Sequence, residues 1–376
     1  MVQLESEIRK KLDAIADGPA AEHAAAVDRD GTFPRAAMDA IAAAGLSGLI
    51  SAPEVGGLGQ GPGAAALAVE RLARACGSTG MVLAMHYAGA AVLEKHGDKA
   101  VRRAIAAGQH LSTLAFSEAG SRSHFWAPTS TAKAASGGIE LDAEKSWITS
   151  AGHATAYVWS SRPVAAEGAS TLWLVPAEAL GLEMTRPYDG LGLRGNDSRP
   201  VTAERVTVAE SQRLGADGEG FAIMMGTVLP YFNLMSAGFS IGLMEAATSR
   251  TAEHAGKTRY AHMDMALADL ATIRAYVARM RVKTDMARAL LLDAIEAVEV
   301  GREDAMLRVL ECKAAAGETA LEVLQTAMRV CGGAAYRKDV GVERYFRDAQ
   351  AASVMAPTTD QLYDFIGKAA CGLPLF

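Results

Sequence analysis

The sequence predicts an α+β fold that is mainly helical, with a block of short strands held between two helical regions. Three observations carry this expectation. Ala-rich stretches with apolar residues at helical spacing fill residues 1–110 and return from 213 to 376. Between 111 and 212 the texture changes to short β-prone runs punctuated by Gly, Ser, Asn and Asp. The chain is 376 residues long and 50% hydrophobic, enough to bury the cores of two or three domains.

In the first region, Ile8, Leu12 and Ile15, then Met38, Ile41 and Leu46, recur at helical intervals, and Pro34 suits the first turn of a helix. The Gly-rich stretch Pro53–Gly61 interrupts this pattern before a helix resumes near Ala64. In the middle region the expected strands are 111–116, 129–134, 138–142, 157–161, 170–175 and 200–208. Five or six short strands cannot easily leave their edges bare, so an antiparallel barrel or two-sheet sandwich is expected. Beyond Gly218-Glu219-Gly220-Phe221, long periodic segments at 221–256, 262–297 and 302–330 predict a bundle of antiparallel helices.

A net charge of −6 and the lack of any Lys/Arg-rich run argue against a nucleic-acid partner. No apolar run suggests a membrane span of about 20 residues. The opening Met1–Glu7 shows neither a basic nor an apolar leader region, so a soluble, cytoplasmic protein is expected. Cys76, Cys312, Cys331 and Cys371 are scattered without metal-ligand spacing and read as buried, reduced thiols; no metal is expected.

Five ordered segments carry more specific information. Phe116-Ser117-Glu118-Ala119-Gly120-Ser121-Arg122-Ser123 resembles a "TEPGAGSD" signature, and Leu141–Ser150 resembles "LNGEKSWITN". Gly190–Ser198 resembles "GLRGSDT", Arg329-Val330-Cys331-Gly332-Gly333 resembles "QxxGG", and Val342–Ala349 reads "VERYFRDA". Together these resemble the acyl-CoA dehydrogenase superfamily over nearly the whole chain. The resemblance implies an N-terminal helical domain (1–110), a central β domain (111–212) and a C-terminal four-helix bundle (213–376). It also implies FAD, with FMN as the alternative. Phe116, Ser117 and Ser123 would meet the flavin, Trp147 would wall the ring, and Thr149 would bond near N5. A Trp two residues before a Thr on one strand would put both on one face. Arg259, Arg329, Gly332, Gly333 and Thr358 would hold the diphosphate and adenosine end, in part from a neighbouring subunit of a dimer or tetramer. Adjacent glycines let backbone N–H groups approach a pyrophosphate closely.

The chain departs from the resemblance at the reaction centre. The family places its proton-abstracting Glu in a "YEGT" segment; here the run is Met355-Ala356-Pro357-Thr358. A minority carries that Glu on an earlier helix, at the position of Phe232. Neither Ala nor Phe accepts a proton, and losing a positioned base typically costs about 10²–10⁴-fold. Asp360, one helical turn beyond Ala356, is the nearest candidate carboxylate, though it equally suits a solvated helix start. His86 and His124 resemble histidines of the flavin monooxygenase branch, while each also suits an ordinary core or loop position.

Four functions remain open on sequence grounds. The first is an FAD-dependent oxidoreductase acting on an acyl-CoA-like thioester, coupled to an electron-transfer flavoprotein. The second is a monooxygenase using reduced flavin and O₂ on a small aromatic substrate, fed by a flavin reductase. The third is non-redox elimination from an acyl-CoA, and the fourth a non-catalytic flavoprotein scaffold.

Overall fold

The structure, a computed structural model, describes residues 4–122 and 124–374; the candidate Ser123 lies outside the described residues. The N-terminal region folds as α1 (Ser6–Ile15), α2 (Ala21–Asp30), α3 (Arg35–Ala43), α4 (Pro62–Ala75), α5 (Gly77–His96) and α6 (Lys99–Ala106). Helix α5 is buried on almost every side, as its weak polar patterning requires. Asp98 caps α6 by accepting a hydrogen bond from the Val101 backbone N–H.

The middle region holds β1 (Ser112–Ala115), β2 (Thr131–Ala135), β3 (Gly138–Ile148), β4 (Ala156–Ser161), β5 (Thr171–Pro176), β6 (Leu182–Met184), β7 (Arg199–Val208) and β8 (Arg213–Leu214). They form two four-stranded sheets, ordered β1-β4-β5-β8 and β2-β3-β7-β6. Of the two expected architectures the sandwich is found. Trp159, Trp173, Tyr157, Leu141 and Val206 share one buried cluster drawn from both sheets. One expectation is corrected: β1 runs parallel to β4, Ser112 opposite Ala156 through Ala115 opposite Trp159, so the domain is not wholly antiparallel. The connection between them contains β2 and β3 of the other sheet, long enough for a parallel crossover.

The C-terminal region begins with α7 (Gly220–Ile223) and α8 (Leu229–Lys257), joined through a π-helical turn at Met224–Val228. A short hairpin of β9 (Arg259–Tyr260) and β10 (Met265–Ala266) follows, where a helix starting at 262 was expected. Then come α9 (Ala271–Glu299), α10 (Ala305–Cys331), α11 (Val342–Ala349), α12 (Ala351–Val354) and α13 (Thr359–Ala370). Helices α8, α9 and α10 pack side by side, α13 lies on α10, and α4 lies along α8.

Two further expectations change. The helical run Gly220–Lys257 is long and apolar enough to cross a membrane by length and composition, but it serves as the central helix of the bundle. Cys371 is exposed, whereas Cys76, Cys312 and Cys331 are buried free thiols as expected.

Candidate functional site

Strands β1 and β3 end side by side. The Ser146 N–H donates to the Ser117 carbonyl at 2.9 Å, and the Thr113 hydroxyl donates to the Thr149 carbonyl at 2.8 Å. Phe116, Ser117, Trp147 and Thr149 thereby share one corner of the β domain. Beneath it lies a buried ion pair, Lys145 Nζ to Glu118 Oε1 at 2.6 Å, with side chains 0% and 1% exposed. Lys145 also donates to the Ser160 carbonyl at 2.7 Å, and Glu118 accepts from the Ser130 hydroxyl at 2.6 Å and from Thr129. Burial pushes Glu118 upward, but Lys145 and these donors outweigh it and hold the carboxyl at about 2.

The expected same-face placement of Trp147 and Thr149 is corrected. The β3–β7 register slips between Lys145 and Ile148, and Trp147 takes a positive φ of 58°. At such a bulge simple alternation fails. Trp147 swings outward to 70% exposure, while Thr149 stays 5% exposed. The Thr149 hydroxyl has only a long 3.5 Å contact to the Ser198 hydroxyl, which leaves it able to donate elsewhere.

The loop after Ser117 reaches α13. His124 meets Trp126 edge-on at 5.1 Å, and Trp126 lies 5.9 Å from Phe365 of α13. Between loop and helix runs a cleft of about 630 Å³, lined by Ser121, His124, Trp126, Gln361, Phe365 and Lys368. Thr358 caps α13, its hydroxyl accepting from the Gln361 N–H, so it is fixed at the edge of this region. Asp360 is exposed on the same helix start.

The remaining diphosphate candidates sit elsewhere. Arg259 follows α8 and pairs with Asp264 at 2.8 Å, 57% exposed. Arg329 stacks on Tyr276 at 4.9 Å. Gly332 has φ 56° and ψ −137°, a conformation reserved for glycine, and a Cβ at Gly332 or Gly333 would meet nothing within 4 Å. The two glycines therefore offer an open cradle of backbone. It lies at the far end of α10 from Lys313, the residue that contacts the Met355–Pro357 segment next to Thr358. Eighteen residues of helix separate Lys313 from Cys331, or about 27 Å. Thr358 and Gly332 of one chain cannot grip the same diphosphate.

His86 is 1% exposed, and both ring nitrogens are engaged by backbone: Nε2 with the Ser47 carbonyl at 3.0 Å and Nδ1 with the Ser112 N–H at 3.1 Å. Burial pushes its pKa down to about 4. It serves as a core histidine, locking α5 to β1. His124 is exposed at the cleft.

At the two positions where a base would stand, Ala356 and Phe232 are half-buried and pack against the main core. Sequence reasoning missed Lys313, which lies between them. Nζ donates to the carbonyls of Met355 at 3.0 Å and Pro357 at 2.6 Å and sits 5.9 Å from the Phe232 ring centre. Its spacing from buried Val309, Ala316 and Ala320 puts it on the inner face of α10, a readable signal.

Comparison with known proteins agrees with this arrangement. Family models match as follows: acyl-CoA dehydrogenase N-terminal domain, residues 3–108; middle domain, 113–206; C-terminal domain, 218–371. A probable acyl-CoA dehydrogenase of Bacillus subtilis, YngJ, is 29% identical over 94% of each chain. The human mitochondrial short-chain specific acyl-CoA dehydrogenase is 28% identical over 90% of this chain and 82% of its own. The butyryl-CoA dehydrogenase structure from Megasphaera elsdenii superposes with a TM-score of 0.91 at 20% identity, covering 99% of this chain and 100% of that one, a likeness of fold. The chain belongs to the acyl-CoA dehydrogenase superfamily of FAD-dependent oxidoreductases.

Proposed function

We propose that this chain oxidises an acyl-CoA-like thioester with FAD, using neither of the family's two carboxylate positions. The observation that carries this reading is the corner where Trp147 stands 70% exposed beside the weakly engaged Thr149 hydroxyl and the Ser117 backbone. Trp147 would cover one face of the flavin ring and Thr149 would donate to its edge. The Lys145–Glu118 pair keeps the corner rigid, so these groups are placed before the cofactor arrives. When bound, FAD supplies the two-electron acceptor. Thr358 would hold the diphosphate from the same chain, whereas Gly332, Gly333, Arg329 and Arg259 would hold the flavin of a second copy. The separation of about 27 Å along α10 supports that division. An apolar stripe on the outer face of α9, Ala275, Ala278, Val282 and Met286, offers a surface for such a copy. An electron-transfer flavoprotein is the partner proposed to reoxidise the enzyme.

The oxygen-using alternative drew on His86 and His124 together. His86 is committed to backbone on both nitrogens and is not available to oxygen chemistry at the flavin, which favours thioester chemistry. Anaerobic titration of the purified flavoprotein with a panel of acyl-CoAs tests it. Loss of the visible flavin absorbance with at least one thioester supports the proposal. Retention of full absorbance across the panel, or purification without any flavin, overturns it.

A further inference from the structure

Two buried polar side chains beside Ala356 and Phe232 lack their usual partners among the described residues. Lys313 is 2% exposed, and two of its three ammonium donors go to the carbonyls of Met355 and Pro357, on either side of Ala356. No carboxylate pairs with it among the described residues, and the ammonium lies 5.9 Å from the Phe232 ring centre. Next to Phe232 on α8, Asn233 is 0% exposed, and neither its amide oxygen nor its amide nitrogen has a partner among the described residues. A buried cation without a counter-charge and a buried amide without hydrogen bonds are both costly. One carboxylate would offset both in part, accepting from the Lys313 ammonium and from the Asn233 N–H. The side chains that flank Lys313 do not supply it: Ala356 offers a methyl group and Phe232 a phenyl ring.

We propose that the substrate supplies it: the acyl group carries a free carboxylate that settles over Ala356 and Phe232 and pairs with Lys313 and Asn233. The substrate class is then the mono-thioester of a short dicarboxylic acid. This inference rests on the thioester reading above and narrows it. Burial alone pulls the Lys313 pKa down to about 7, and an arriving carboxylate would restore the ammonium.

The test is a binding measurement rather than turnover. The flavin-loaded protein is titrated, by perturbation of its flavin spectrum, with pairs matched in chain length: succinyl-CoA against butyryl-CoA, and glutaryl-CoA against valeryl-CoA. At least one dicarboxylic member should bind about tenfold or more tighter than its neutral match, as a charge-assisted pair allows. Lys313→Met should abolish that preference. Asn233→Leu, which removes an unsatisfied amide and so keeps the fold, should reduce it. Equal or tighter binding of the neutral members in both pairs overturns the inference and leaves the thioester reading standing. Failure of all four to bind also overturns the inference, while the thioester reading falls only if the wider acyl-CoA panel fails as well.

Discussion

Replacing Lys145 by Met tests how the flavin corner is held. The ammonium is fully buried and bonds Glu118 Oε1 at 2.6 Å, the Ser160 carbonyl at 2.7 Å, the Ser160 hydroxyl at 3.0 Å and the Ser130 hydroxyl at 3.3 Å. Met keeps most of the volume but removes the charge. Glu118 is then left buried with only neutral donors, the Ser130 and Thr129 hydroxyls and the Thr129 and Ser130 N–H groups. Removing one partner of a buried pair costs about 3–5 kcal/mol, mostly from the charge left behind. Those donors offset part of this, so a loss near 3 kcal/mol is expected in denaturant unfolding at neutral pH. The double variant Glu118→Gln/Lys145→Met should recover part of it, because no uncompensated charge remains. Flavin occupancy should fall in the single variant, since Ser117 and Trp147 are joined across this pair. A loss below about 1 kcal/mol for Lys145→Met, or no recovery in the double variant, would refute the reasoning.

Other outcomes follow from the same geometry. Trp147→Ala should leave unfolding stability within about 0.5 kcal/mol, because the ring is 70% exposed, while weakening flavin retention on gel filtration. Ala356→Glu restores a carboxylate at the family position; anaerobic flavin bleaching by neutral acyl-CoAs should rise by about 10²–10⁴-fold in rate. Gly332→Ala forces a side chain into φ 56°, ψ −137°, at a cost of roughly 1–3 kcal/mol in unfolding measurements, with weaker FAD binding. His86 is held neutral by burial, its pKa down to about 4 from an ordinary 6.5. Its contribution is fully present above pH 6.5 and is lost as pH falls through 4, because the unfolded chain takes up the proton first. Stability should therefore drop by roughly 3 kcal/mol across that window, and His86→Leu should flatten the slope in urea melts.

Much of this molecule was legible before its structure. Short β-prone runs between turn residues located β4, β5 and β7 to within a residue at each end, because β-branched and aromatic residues concentrate in strands and Gly, Ser, Asn and Asp in the turns between them. The ordered motifs brought Ser117, Trp147 and Thr149 into consideration together. What escaped was set by contacts across the chain. The bulge that turns Trp147 outward depends on how β3 pairs with β7, which no local pattern records. The parallel pairing of β1 with β4 depends on a crossover rather than on strand composition. The hairpin at 259–266 took the place of an expected helix start because Arg259 and Asp264 close it locally. The inner-face position of Lys313 is readable from its spacing to Val309, Ala316 and Ala320; that its ammonium meets the Met355 and Pro357 carbonyls is set by contacts far along the chain. The unsatisfied state of Asn233 has no sequence signature at all, since it is defined by partners that are missing.

Helices α4 and α8 meet through Gly238 and Gly242, where an added methyl group would strike the Ala66 and Glu70 carbonyls. Glu70 and Glu245 are clasped at the same crossing by Arg288, at 2.7 and 3.0 Å. Backbones in such direct contact cannot slide or part by small steps, so the N-terminal helices and the bundle travel as one body. The cleft beside His124 and Trp126 is bounded on its other side by α13, with Trp126 lying 5.9 Å from Phe365, so any ligand held there touches this joined pair of regions at its C-terminal helix.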